Sequence, residues 1–303
     1  MPIDLLERPY LDAPTRQWCW TLYFRLMATS LLVAATGHGQ PWSSACEKPA
    51  QFELTLNSII QGMFREKLVP MGNILDVGAN DGQTACMLAC FDRNRTVHAI
   101  DPSPHLVNAM RCPYPNMKPA AAMMFSHAGG FINKTDSSYL HKTQTAVSST
   151  GNVPVMTVDS LFAHQAAGFL HIDVEGHEPE VLVGARKTLS LKRPIVTIEV
   201  FLGGNKWFDD YKGHEHIIEK VLKFDYEAYM VNEVCGMPRT CRNVLAIPRE
   251  RLRQMRNSAT LDLAVRAGAI TKVKPNQINA TTAFYPPPFI AGFHDDTRFE
   301  RRM

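Results

Sequence analysis

From residue 73 to residue 223, short apolar runs alternate with stretches of helical period, and that alternation leaves few architectures open. "NILDVGA" (73–79), "TVHAID" (96–101), "VPVMTVDSLF" (153–162), "FLHIDV" (169–174) and "PIVTIEVFL" (194–202) read as strands. Helical stretches at 82–91, 104–110, 178–190 and 213–223 lie between several of them. A strand that returns through a helix pairs parallel to its predecessor, so the pattern predicts an α/β fold with a mostly parallel, doubly wound sheet. Two later runs, "YEAYMV" (226–231) and "NVLAIP" (243–248), are too close together for a helical crossover. They predict a hairpin and an antiparallel last strand.

The flanks differ from this body. Residues 51–69 carry Phe52, Leu56, Ile59, Ile60, Met63 and Phe64 at the spacing of one helix face, which opens a domain over 51–250. Before it, residues 1–50 hold an apolar stretch whose core, 26–35, has the length of a signal-peptide h-region and leads to small residues. Taken from residue 18 to 36 it approaches a membrane anchor, with Arg25 near its middle. An amphipathic helix packed on the domain is the other reading, because the preceding segment mixes acids with arginines. The expectation is the secretory pathway, secreted or membrane-anchored, with a cytoplasmic location as the alternative. Sequons at Asn94, Asn133 and Asn279 fit that route, and Cys235 and Cys241 flank a turn-like "GMPRT" that a disulfide could close. Residues 251–303 read as a peripheral helix followed by a proline-rich tail.

Composition narrows the partners. A chain of 303 residues, 45% hydrophobic, can bury a large core. A net charge of +3 without a basic block interleaved with aromatics gives no sign of nucleic-acid binding. Cys86 and Cys90 stand one helical turn apart with no second pair at ligand spacing, so structural zinc is not expected.

The first motif with chemistry is "ILDVGANDGQT" (74–84). A strand carrying Asp76 runs into Gly78, Asn80 follows, and Gly82 opens a helix; such a loop lets backbone approach a ligand and can turn N–H groups towards an anion. Asp101, at the end of the next strand, follows Gly78 by 23 residues, a spacing at which an acid accepts hydrogen bonds from ribose hydroxyls. A nucleotide-like cofactor is implied. The loop lacks the close glycine pair of dinucleotide sites and the G-K-[ST] of triphosphate sites, which argues against NAD and ATP.

Strand–D-V-G-A-N-D-G–helix followed by strand–D-P-S resembles the S-adenosylmethionine site of class I methyltransferases, with Asp76, Gly78, Asn80, Gly82 and Asp101 as the cofactor residues. "FLHIDVEGHEPEVLVGARKTL", then "RPIVTIEV", with "TVDSL" before and "NVLAIPRE" after, is similar to the hallmark of FkbM-type methyltransferases over about residues 73–250. That resemblance implies a Rossmann-like sheet of seven strands with the last antiparallel. It also implies methyl transfer to a hydroxyl on a glycan or secondary metabolite, or a catalytically silent relative that binds cofactor or glycan.

Asp173, Glu175 and His177 stand where an apolar strand stops, and ligands of open α/β sheets lie beyond such strand ends. Asp173 is the first choice for the reaction centre. His177 is the better-tuned base because its ordinary pKa is near neutral. Glu199, inside the apolar "TIEV", needs a partner or a ligand, while Glu175 could equally serve the dipole of the next helix. Asp173 and Glu199 would suit Mg²⁺, a role set behind deprotonation by His177.

Overall fold

The computed structural model describes residues 53–134, 147–201, 217–232 and 241–273. The apolar stretch 18–36, Cys235 and its pairing with Cys241, Asn279 and the tail from 274 lie outside the described residues.

Helix α1 (Leu54–Arg65) precedes β1 (Asn73–Val77), α2 (Gln83–Phe91), β2 (Val97–Asp101), α3 (Pro104–Ala109) and β3 (Met117–Ala121). Three short strands follow, β4 (Met123–Met124), β5 (Phe131–Ile132) and β6 (Val153–Met156), then α4 (Val158–Leu161), β7 (Ala167–Ile172) and α5 (Glu178–Gly184). The chain continues through β8 (Ile195–Phe201), α6 (Ile217–Leu222), β9 (Tyr226–Val231), β10 (Cys241–Pro248), α7 (Leu252–Met255), α8 (Ala259–Arg266) and β11 (Ile270–Lys272).

The main sheet has eight strands in the order β11-β9-β10-β8-β7-β1-β2-β3. Strands β3, β2, β1, β7 and β8 run parallel. Strand β10 lies antiparallel between β8 and β9, and β11 adds a second antiparallel edge. The fold is therefore a mixed Rossmann-like α/β sheet, and the expectation of seven strands with one terminal hairpin is corrected in two places. The third parallel strand is "MKPAA" (117–121), and the run 153–162 is instead a short strand and a capped helix, with β6 in a separate sheet of order β4-β6-β5. Pro119 hides β3 from a sequence reading, yet β3 is an edge strand, where the missing N–H is tolerated.

Strand alternation sends two residue sets to opposite faces. Ile74, Ala99, Phe169, Ile195 and Leu245 meet Ile59, Ile60 and Met63 of α1 and Leu261 of α8. Leu75, Val77, Leu170, Ile172, Val196 and Ile198 meet Val181 and Leu182 of α5 and Ile217 and Val221 of α6. The central strands are buried on both sides, as a parallel sheet requires.

Candidate active site

Val77 ends β1, and the chain turns through Gly78 (φ 82°), Asn80 (φ 48°) and Gly82 (φ 81°) into α2. A Cβ at Gly78 would lie 1.7 Å from the Asp173 carbonyl oxygen, so glycine lets the first loop abut the end of β7. At Gly82 the neighbour is Met110, with its Cγ 3.0 Å from a notional Cβ.

The loop's N–H groups do not face outward as the sequence suggested. Gly78 N and Ala79 N donate to Ile100 O at 2.8 and 3.0 Å, and Gly82 N donates to Ala79 O at 2.7 Å. Asn80 N donates to Asp101 Oδ2 at 3.0 Å, and Ser103 N donates to Asp101 Oδ1 at 2.8 Å. These backbone donors are consumed, which disfavours a phosphate cradle. Each Asp101 oxygen keeps a lone pair for a further donor, as a ribose diol would supply. Burial raises the pKa of Asp101, and its bonds from Ser103 N and Asn80 N, with Lys134 nearby, pull it back.

One partly open cleft runs across these strand ends; the space between its walls, open solvent included, is about 960 Å³. Asp101 lines it beyond β2, Gly78 and Asn80 on the loop after β1 in the middle, and Asp173, Glu175 and His177 beyond β7. Six of the nine sequence-selected residues therefore share one cavity. Asp76 and Glu199 sit beside it on the sheet face towards α1, and Gly82 caps α2. Sequence reading missed Ser103, Leu106, Met123, Met124 and Lys134 in the lining. The two methionines and the lysine belong to the small sheet and its flank, for which the sequence carries no signal beyond hydrophobicity.

The acids are arranged by register. Asp76 pairs with His171 across β1 and β7, and His171 with Thr197 across β7 and β8, where His171 Nδ1 and Thr197 Oγ1 are 2.8 Å apart. One step further along the strands, Glu199 pairs with Asn243, and Asp173 follows directly on Ile172, which pairs with Ile198. The Asp173 and Glu199 carboxyls lie together, with oxygens within 4.8 Å of each other. Burial, then the charges of Glu175 and Glu53, holds the Asp173 carboxyl well above the ordinary range; burial, then Asp173, does the same for Glu199. One proton between two such groups is the natural state. Asp76 is 1% exposed and burial pushes its pKa up to about 7.

Two further residues complete this layer. Glu53, at the start of α1 with φ 58°, accepts a hydrogen bond from Asn243 Nδ2. Glu178 accepts from Val174 N at 2.9 Å and from Gly176 N at 3.0 Å. Asp173, Glu178 and Glu199 hold ligand atoms within 4.8 Å of one another and could hold a cation, although Glu178 already has backbone donors. His177 is buried, its ring edge-on to Phe125 at 5.9 Å.

Far from the reacting end, Cys86 on α2 and Cys112 after α3 form a disulfide with Cα atoms 5.5 Å apart. It ties together the two helices that flank the cofactor end of the cleft.

The sequence model described as the methyltransferase FkbM domain matches residues 76–228. No curated protein matches the chain. Among solved structures, the chain is similar to a methyltransferase FkbM from Methylobacillus flagellatus KT, at 14% identity and a TM-score of 0.42, covering 61% of this chain and 47% of that one. Other similar structures are the Aeropyrum pernix fibrillarin with bound S-adenosyl-L-methionine (12% identity, 63% and 73% of the two chains, TM-score 0.36) and a SAM-dependent methyltransferase from Aquifex aeolicus (13%, 64% and 91%, 0.33). The chain thus spans less than half the length of the Methylobacillus structure.

Proposed function

The chain belongs to the FkbM methyltransferase family, and we propose that it transfers a methyl group from S-adenosylmethionine to a hydroxyl oxygen of a glycan or secondary metabolite. The observation that carries this reading is the single cleft with Asp101 at one end and Asp173 at the other, across the carboxyl ends of parallel strands. The residues fit the cofactor: Asp101 keeps acceptor capacity for a ribose, and the acid-rich far end suits a cationic sulfur.

When bound, S-adenosylmethionine supplies the electrophilic methyl group. The chain's own task is to place the acceptor hydroxyl and take its proton. Asp173 lines the cleft, and burial among acids makes its carboxylate a stronger base than a solvated one. This supports Asp173 as the proton acceptor and reverses the preference for His177 that ordinary pKa values suggest. His177, packed on Phe125, shapes the same wall. Mg²⁺ on Asp173, Glu178 and Glu199 would polarise the hydroxyl instead.

Three assays of methyl transfer from labelled cofactor onto a panel of glycans and small metabolites separate these readings. Asp173→Asn is expected to lose at least about a hundredfold in kcat, as removal of a general base does. His177→Ala should lose less, and exhaustive chelation should change nothing. Loss on chelation, restored by Mg²⁺, would assign the metal. Intact cofactor binding with no transfer to any acceptor would favour the silent relative.

We also propose that the protein works in the secretory pathway. The apolar segment 18–36 motivates this, with membrane association through it, and the Cys86–Cys112 bridge supports an oxidising compartment. Among the described residues no helix is long and apolar enough to cross a membrane.

A further inference from the structure

Lys134 lies on the segment that continues β5, where exposure alternates residue by residue. Phe131 and Asn133 are exposed, while Ile132 and Lys134 are buried. Asn152 fixes the backbone at this point: Lys134 N donates to Asn152 Oδ1 at 2.8 Å, and Asn152 Nδ2 donates to Lys134 O. The lysine is thereby turned inward and lines the cleft together with Asp101, each of them 6% exposed. Burying an ammonium group is costly unless a charge or acceptor compensates it, so a lysine in this position calls for a purpose.

Asp101 supplies that purpose through the number of donors it can accept. An ionised carboxyl offers about four lone-pair sites. Asn80 N takes one on Oδ2 and Ser103 N one on Oδ1, which leaves a pair for the two hydroxyls of a ribose. Protonation removes one of that pair, so the neutral acid holds a single hydroxyl. Burial favours this neutral form, and the charge of Lys134 opposes it. The other groups around Asp101 bring no such charge. Asp76 on β1 and Asp81 on the loop after it are acids, His105 on α3 is exposed, and Met123 and Met124 of β4 are apolar. Asp173, Glu175 and His177 belong to the wall beyond β7. Among the described residues, Lys134 is the only lysine or arginine in the lining.

We propose that Lys134 is a cofactor-positioning residue, whose ammonium keeps Asp101 in the form that accepts both ribose hydroxyls. This rests on the cofactor reading above. Lys134 acts through Asp101 and takes no part in methyl transfer. What the site uses is its charge, delivered from the small sheet to the end of β2.

The test is calorimetric titration of the full chain with S-adenosylhomocysteine, whose sulfur is neutral, from about pH 8 down to about pH 5. Ionised Asp101 binds the ribose and protonated Asp101 binds it poorly, so affinity is full at the alkaline end and falls as pH drops through the pKa of Asp101. Lys134→Met should move that fall upward by about one pH unit, while affinity at the alkaline end stays within about threefold. Lys134→Gln should do the same, which guards against a folding defect in one variant, and Lys134→Arg should restore the parent profile. The displacement should also appear when Lys134→Met is built on Asp173→Asn, because the reacting end is not involved. An unmoved profile in Lys134→Met and Lys134→Gln would overturn the proposal. So would a loss of affinity equal at every pH, the mark of a structural role, a displacement that arginine does not restore, or one that vanishes in Asp173→Asn. Failure of the wild-type chain to bind at any pH would overturn the cofactor reading itself.

Discussion

His171 and Asp76 face each other across β1 and β7 in the interior, and burial drives both towards neutrality. His171 is 4% exposed and its pKa falls to about 4 because its charged form would lose solvent. An unfolded chain takes up that proton near pH 6.5, so the contribution to stability is intact above about 6.5 and is lost as pH falls towards 4. The full loss is about 3 kcal/mol, and the slope of urea midpoint against pH across that window should flatten in His171→Asn. An unchanged slope would show that His171 titrates normally. Among single residues, Asp101 and Asp173 were legible because a strand ending in an acid is improbable without a purpose. Glu53 and Asn243 were not: each joins the site through pairing or packing with residues far away in sequence, and nothing near "FELTL" or "RNVLA" marks either as part of the site.

The same limit holds for the elements. Strands β1, β2, β7 and β8 announce themselves by apolar runs, and the sequence places the antiparallel pair β9 and β10 correctly. Strand β3 escapes because Pro119 breaks its pattern, and β11 because three residues carry no periodicity. The disulfide escapes for a different reason. The sequence offers Cys86 only as a cysteine one helical turn from Cys90, while its partner lies 26 residues on, beyond β2 and α3. Closing a loop of that length should stabilise the fold by about 3–4 kcal/mol through the unfolded chain. Replacing both Cys86 and Cys112 by alanine should lower the guanidinium midpoint accordingly. It should also weaken cofactor binding, since α2 and α3 both flank the cleft. A double variant as stable as the parent would show that the bridge is not formed in solution.

At the scale of the whole molecule, the bridge and the exposed sequons bear on compartment. Asn94 and Asn133 are both exposed on the folded domain. Expressed in a eukaryotic cell, the full chain is predicted to carry endoglycosidase-sensitive glycans that disappear in Asn94→Gln/Asn133→Gln/Asn279→Gln. A wholly cytosolic, unglycosylated product would contradict the secretory reading and leave the chemistry of the cleft untouched. That chemistry stands on the cofactor, and Asp101 is where it is most directly tested: Oδ2 braces the first loop through Asn80 N and Oδ1 the turn after β2 through Ser103 N, yet both keep capacity for a ribose. The direct measurement is calorimetric titration of S-adenosylmethionine into the wild-type chain and into Asp101→Ala. Loss of charge-assisted hydrogen bonds should cost about 1.5–3 kcal/mol, roughly a ten- to hundredfold weaker affinity. Equal affinity in the two proteins would contradict the assignment of this cleft as the cofactor site.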